Sequence, residues 1–174
     1  ARGDRVNTAV IPAPDIPINF SHAGHLKLGL RCTMCHPGGR KSRKAKDNLL
    51  PKEEVCTRCH NIKAPNPAKV FPRATCETCH PGFDPADGLA PAGIFLPEPS
   101  IKFPHRTHTI IGILCTECHV GMKKATRPSW DHIPSMERCL SCHDGNAAPN
   151  RCNTCHLTNS AQRIETNLPY GKLQ

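Results

Sequence analysis

A chain of 174 residues is long enough for one domain or two small ones, but only 37% of it is hydrophobic and 4% aromatic, with 18 prolines and 12 glycines. That argues against a conventional core of packed helices or sheets and for an interior filled by something other than side chains. The formal net charge of +9 would suit a polyanion-binding protein only if no bound group carries charge of its own.

Residues 1–19 are rich in proline, lack periodicity and read as an extended arm. Ala1 opens into polar sequence without a charged n-region or apolar h-region, so any export signal or N-terminal anchor is expected to have been removed or to lie outside this sequence. Residues 20–80 begin with Phe20-Ser-His22-Ala-Gly-His25 and carry Cys32-x-x-Cys35-His36, Cys56-x-x-Cys59-His60 and Cys76-x-x-Cys79-His80. The basic run Arg40 to Lys46 between the first two reads as a solvated loop, with a docking patch as its functional alternative. Residues 81–102 hold five prolines and three glycines and read as an irregular linker. Residues 103–156 open with Phe103-Pro-His105-Arg-Thr-His108 and carry Cys115-x-x-Cys118-His119, Cys139-x-x-Cys142-His143 and Cys152-x-x-Cys155-His156. Residues 157–174 form a polar tail with the one tyrosine, Tyr170. The longest apolar patch, Ile110 to Leu114, is far short of the roughly 18 residues of a membrane span.

A single Cys-x-x-Cys suits a zinc site, a redox dithiol or a covalent haem. All twelve cysteines fall in six copies of the unit, each with histidine directly behind it, which neither zinc nor disulfide chemistry requires. In one helical turn the two thiols and the histidine share a face, so the thiols can bond a porphyrin edge while the imidazole reaches the iron. The pattern is the c-type haem attachment signal, and six covalently bound haem c groups are expected to be the core. With two propionates per haem and ferric porphyrin cores, the net charge falls to about +3 oxidised and about −3 reduced, which removes the case for nucleic acid.

Five further histidines are available as second axial ligands: His22, His25, His105, His108 and His132. Laying the chain on itself at the step from Cys32 to Cys115, 83 residues, superposes Phe20, His22 and His25 on Phe103, His105 and His108. It also superposes the first two motifs of each half and Pro51 on Pro134, so the chain is a duplication. The register breaks only before the last motif. His132 falls opposite Leu49 and leaves one iron without a histidine.

Phe-x-His-x-x-His followed by closely spaced Cys-x-x-Cys-His motifs resembles the class III multihaem cytochromes c, of the cytochrome c3 and c7 type, with each half similar to one trihaem module. The resemblance implies a mostly irregular fold of short α-helices around haems with little sheet, apart from a small strand pair near Ile18 to Phe20 and Ile101 to Phe103. It implies that His22 serves the haem of His36, His25 that of His60, His105 that of His119, His108 that of His143 and His132 that of His156. The haem of His80 has no family ligand; Met34, Met122, Met136, the Lys41 to Lys46 amines, water or a partner protein are candidates. Trp130, beside His132, reads as haem packing.

Two imidazoles per iron leave no position for substrate, and histidine in place of methionine favours lower potentials. A compact chain of this length has a radius of gyration of about 16 Å, so haems within it are crowded enough for electron hopping. The expected function is electron transfer between redox proteins by a periplasmic or otherwise exported carrier, not catalysis by this chain. A looser resemblance, to the hexahaem cytochrome subunits of quinone-linked respiratory complexes, implies a membrane-associated partner. Two alternatives are a small-oxyanion reductase with an open haem at His80 and an extracellular cytochrome filament. Five extra histidines for six irons count against an all-histidine homopolymer.

Overall fold

The computed structural model describes residues 16–90, 94 and 99–165. Most of the expected arm, part of the linker, the end of the tail with Tyr170 and the side chain of Trp130 lie outside the described residues. Among the described residues eight short helices follow in order: α1 His22–Lys27, α2 Cys32–Cys35, α3 Glu53–Cys56, α4 Cys76–Cys79, α5 His105–Ile110, α6 Cys115–Cys118, α7 Met136–Leu140 and α8 Cys152–Cys155. Turns of 3-10 helix cover Pro37–Arg40, Pro85–Asp87, Met122–Lys124 and Trp130–His132.

Single-turn helices are unstable alone because nucleation costs more than one turn returns; here each belongs to a motif closed in the same way. The histidine N–H donates to the carbonyl of the first cysteine at 2.8–3.0 Å in all six motifs. In the second and fifth motifs the helix ends near the first cysteine, and the second cysteine sits in the following turn. The helices that carry the paired histidines stop alike but start differently, since Pro104 before α5 makes no side-chain cap bond. Ser21 caps α1 by accepting from Gly24 N–H at 3.0 Å, and α1 and α5 are followed by Gly29 (φ 79°) and Gly112 (φ 92°). Those left-handed residues end a helix at little steric cost only as glycine.

Among the described residues there is no strand, only the antiparallel bridges Ile101–His156 and Thr158–Ile164. The strand pair implied for residues 18–20 and 101–103 does not form, because the donors are used elsewhere. Asn19 N–H donates to Cys79 O at 2.8 Å and Lys102 N–H to Cys155 O at 2.6 Å. Each module is thus closed by its leading segment lying against its own third motif. The start of the tail folds back, with Glu165 N–H on Leu157 O at 2.8 Å.

Side chains supply little core. Among the described residues the buried ones are Ala23, Ala74, Ala125 and Ser42, and no large side chain is fully buried. Three of the four lie where the modules meet. There α1 packs on the Met122–Lys124 turn and α5 on the Pro37–Arg40 turn, with Ala23 N–H on Ala125 O and Arg106 N–H on Ser42 O, both 2.8 Å. The basic run Arg40 to Lys46 is therefore not a loose loop throughout: most of its charged side chains are exposed, but Ser42 anchors it to α5. The Asp47 carboxylate holds Arg43 and Lys44 N–H at 3.1 Å each.

Candidate haem-binding sites

Eight of the eleven histidines are brought together in twos. His22 faces His36 with ring centroids 6.4 Å apart and planes 13° from parallel; His105 faces His119 at 6.5 Å and 3°. His25 faces His60 at 6.1 Å and 42°; His108 faces His143 at 6.2 Å and 43°. Two imidazoles bound to opposite sides of one metal at about 2 Å per nitrogen hold their centroids roughly 6.3 Å apart. The residues therefore fit an iron between each pair. Direct ring stacking is closer: Phe20 on His25 and Phe103 on His108 are both at 4.5 Å.

The free nitrogen of each pair is also the right one. A histidine that donates Nδ1–H to a carbonyl leaves Nε2 unprotonated for a metal. His36 Nδ1 lies 2.7 Å from Leu49 O, His60 Nδ1 2.7 Å from Arg73 O, His119 Nδ1 2.9 Å from His132 O and His143 Nδ1 2.7 Å from Pro149 O. On the opposing helices, His25 Nδ1 lies 2.8 Å from Ser21 O and His108 Nδ1 3.1 Å from Pro104 O, each one helical turn back. Burial first, and neighbouring histidines led by His36 second, lower the His22 pKa to about 4. Burial and His119 likewise lower that of His105. Both rings are thus neutral near pH 7, as metal ligation requires.

The cysteine motifs adjoin one another. Burial raises the Cys35, Cys56, Cys118 and Cys139 thiol pKa values, and the next cause in each case is a cysteine of an adjacent motif: Cys59, Cys79, Cys139 and Cys155 respectively. Among the described residues no group of three or more His, Cys, Asp or Glu side chains converges as a metal cluster; the donors meet as opposed pairs.

Three histidines stand outside the pairs. His132 directs Nδ1 to Val120 O at 2.9 Å, which frees its Nε2, and its ring lies over Gly121. Among the described residues neither His132 nor any other ring faces His156 in a pair. The His80 ring meets Phe83 edge-on at 6.1 Å, and its buried Nδ1 has no hydrogen-bond partner. Of the candidate substitutes, Met34 turns its sulfur to Arg31 N–H at 3.5 Å, while Met136 is 63% exposed.

The family model described as cytochrome c7 and related cytochrome c matches twice, over residues 18–81 and 101–157. The chain belongs to this family. This cytochrome is accordingly a multihaem electron-transfer protein with covalently bound haem c and redox partners, built from a duplicated module. Comparison with curated proteins gives no match. Among the described residues no helix is long and apolar enough to cross a membrane.

Sequence reasoning had no means to find the carbonyls of Leu49, Arg73 and Pro149, because any residue supplies a carbonyl. It also passed over Ser42, whose hydroxyl lies 3.5 Å from His105 Nδ1. The signal available was the 83-residue offset, which places Ser42 opposite the equally small Ala125.

Proposed function

We propose that this cytochrome carries six haem c groups, one per Cys-x-x-Cys-His, and passes electrons between redox proteins on the outer side of the cytoplasmic membrane. The supporting observation is the fourfold opposition of imidazole rings at 6.1–6.5 Å. Bound haem c supplies a one-electron iron couple. The chain supplies the rest. Paired cysteines would fix each macrocycle by thioether bonds, and the following histidine would present Nε2 from one side, steered at His36, His60, His119 and His143 by an Nδ1–H bond. His22, His25, His105 and His108 present theirs from the other and exclude water and substrate. His132 is assigned to the haem of His156. The partner is a membrane-associated quinone-linked complex, with this chain as subunit or shuttle. Intact mass and alkaline pyridine absorbance test the count: six haems per chain are expected, and fewer overturns it.

A second reading, reduction of a small oxyanion at an open haem, is favoured by His80, which faces Phe83 instead of a second histidine. It lies next to a cavity of about 610 Å³ lined by Thr75, Cys76, Gly82 and Phe83 among others. A high-spin ferric signal that changes with nitrite or cyanide supports this reading, and an unresponsive spectrum removes it.

A further inference from the structure

The modules meet through contacts that repeat with their roles exchanged. The 83-residue offset maps Ala23 on Arg106 and Ser42 on Ala125. The bonds Ala23 N–H to Ala125 O and Arg106 N–H to Ser42 O, both 2.8 Å, are therefore one contact made once in each direction. Such reciprocity is the property of an isologous, two-fold interface, formed here within a single chain. A residue on the axis of such an interface meets its own equivalent. Cys32 and Cys115 are equivalents and neighbours: after burial, the Cys32 thiol is the next cause that raises the Cys115 pKa. Small residues permit the approach: Ala23, Ala125 and Ser42 are 7%, 7% and 5% exposed.

From that axis each module leads outward in the same order. The carbonyls that hold His36 and His119 belong to Leu49 and His132, seven residues before the second motif's first cysteine. Those that hold His60 and His143 belong to Arg73 and Pro149, three residues before the third motif's. Helix α1 spans the first two positions, with His22 opposite His36 and His25 opposite His60. The third motifs bond inward, Cys79 to Asn19 and Cys155 to Lys102. The hydrogen bonds that cross between modules come from α1, α5 and the loops behind the first and fourth motifs.

Resting on the six-haem reading above, we infer that the modules are joined head to head. Electrons cross between the sites of His36 and His119, and the sites of His80 and His156 are the outer ends of a line ordered third, second, first, fourth, fifth, sixth. The third and fourth sites, consecutive in sequence through the Pro/Gly-rich linker, are not neighbours in the line. Each passage takes one electron from a reduced donor protein at one end and delivers one to an oxidised acceptor protein at the other, leaving the total oxidation state of the cytochrome unchanged. A donor and an acceptor can then be engaged together without competing for one surface.

A reductive titration of the haem-loaded protein, followed through the haem-methyl NMR signals, tests the order. His22→Met and His105→Met each move one signal set and so assign the sites of His36 and His119. Should either fail to fold, Ser42→Ala, which neighbours His105 without ligating, moves the His119 set. Because charge interactions fall with distance, reduction at the His119 site is expected to shift the midpoint at His36 at least about twofold more than at His80. An equal or larger shift at His80 overturns the head-to-head order. A haem content below six in the same sample would strike the six-haem reading instead.

Discussion

The first and second modules are close copies at the level of single hydrogen bonds, and they differ at two positions that carry chemistry. Leu49 and His132 occupy the same place: each gives its carbonyl to the proximal histidine of its module's first motif, and each side chain lies over a glycine, Gly38 or Gly121. One is an aliphatic filler and the other a ring with a free nitrogen. Ser42 and Ala125 likewise share a place, but only Ser42 has a hydroxyl to offer the first histidine of the facing module. His105 Nδ1 therefore has an oxygen at 3.5 Å, whereas His22 Nδ1 is buried without a partner. The comparison teaches that the scaffold depends on main-chain contacts that duplication preserved, while ligation and its tuning depend on single side chains that have diverged.

The broadest test concerns what the modules share. Without attached haem neither has a side-chain core, so replacing all twelve cysteines by serine should abolish folding of both, read as loss of helical circular dichroism across the whole chain. Retention of structure in either module would show a core that the burial pattern lacks.

The next test addresses the first difference. His132→Ala should convert one haem from low to high spin, while Leu49→Ala leaves every spin state unchanged. If His132→Ala alters no haem, position 132 is a filler in both modules.

A smaller effect is expected beneath those side chains. At Gly121, φ is +81° and an added Cβ would lie 3.2 Å from His132 Cε1. Gly121→Ala should therefore cost about 1–2 kcal/mol for the left-handed backbone alone. At Gly38 the neighbour is the flexible end of Leu49, 3.0 Å away, so Gly38→Ala should cost less. Denaturant melts of the haem-loaded variants measure both.

The smallest effect belongs to the second difference. An acceptor on Nδ1–H makes the imidazole a stronger donor and stabilises the ferric state. Ser42→Ala should raise the midpoint potential at the His119 site, and Ala125→Ser should lower that at the His36 site. Each shift is at most about 60 mV, the worth of one ordinary hydrogen bond. Shifts of the same sign in both variants would contradict the exchange of roles.

Much of the architecture was legible in the sequence because covalent haem attachment demands fixed spacing. Cys-x-x-Cys-His announces itself at all six places, and the recurrence of His22 and His25 at His105 and His108 reveals the duplication. The way the modules join was not legible, since it rests on main-chain bonds at Ala23, Ser42, Arg106 and Ala125 that no side-chain pattern encodes. The small strand pair was misjudged for a related reason: the family resemblance implies a pair around Asn19 and Lys102, but no side-chain pattern says which carbonyl takes their N–H groups.

The central claim is that opposed imidazoles clasp one iron at each of four sites, and electron paramagnetic resonance of the fully oxidised, haem-loaded protein tests it most directly. At least four low-spin ferric centres per chain are expected in two classes, matching the near-parallel pairs at 3–13° and the tilted pairs at 42–43°. His25→Ala or His108→Ala should each remove one centre from the tilted class. Fewer than four low-spin centres, or spectra unchanged by either substitution, would contradict it.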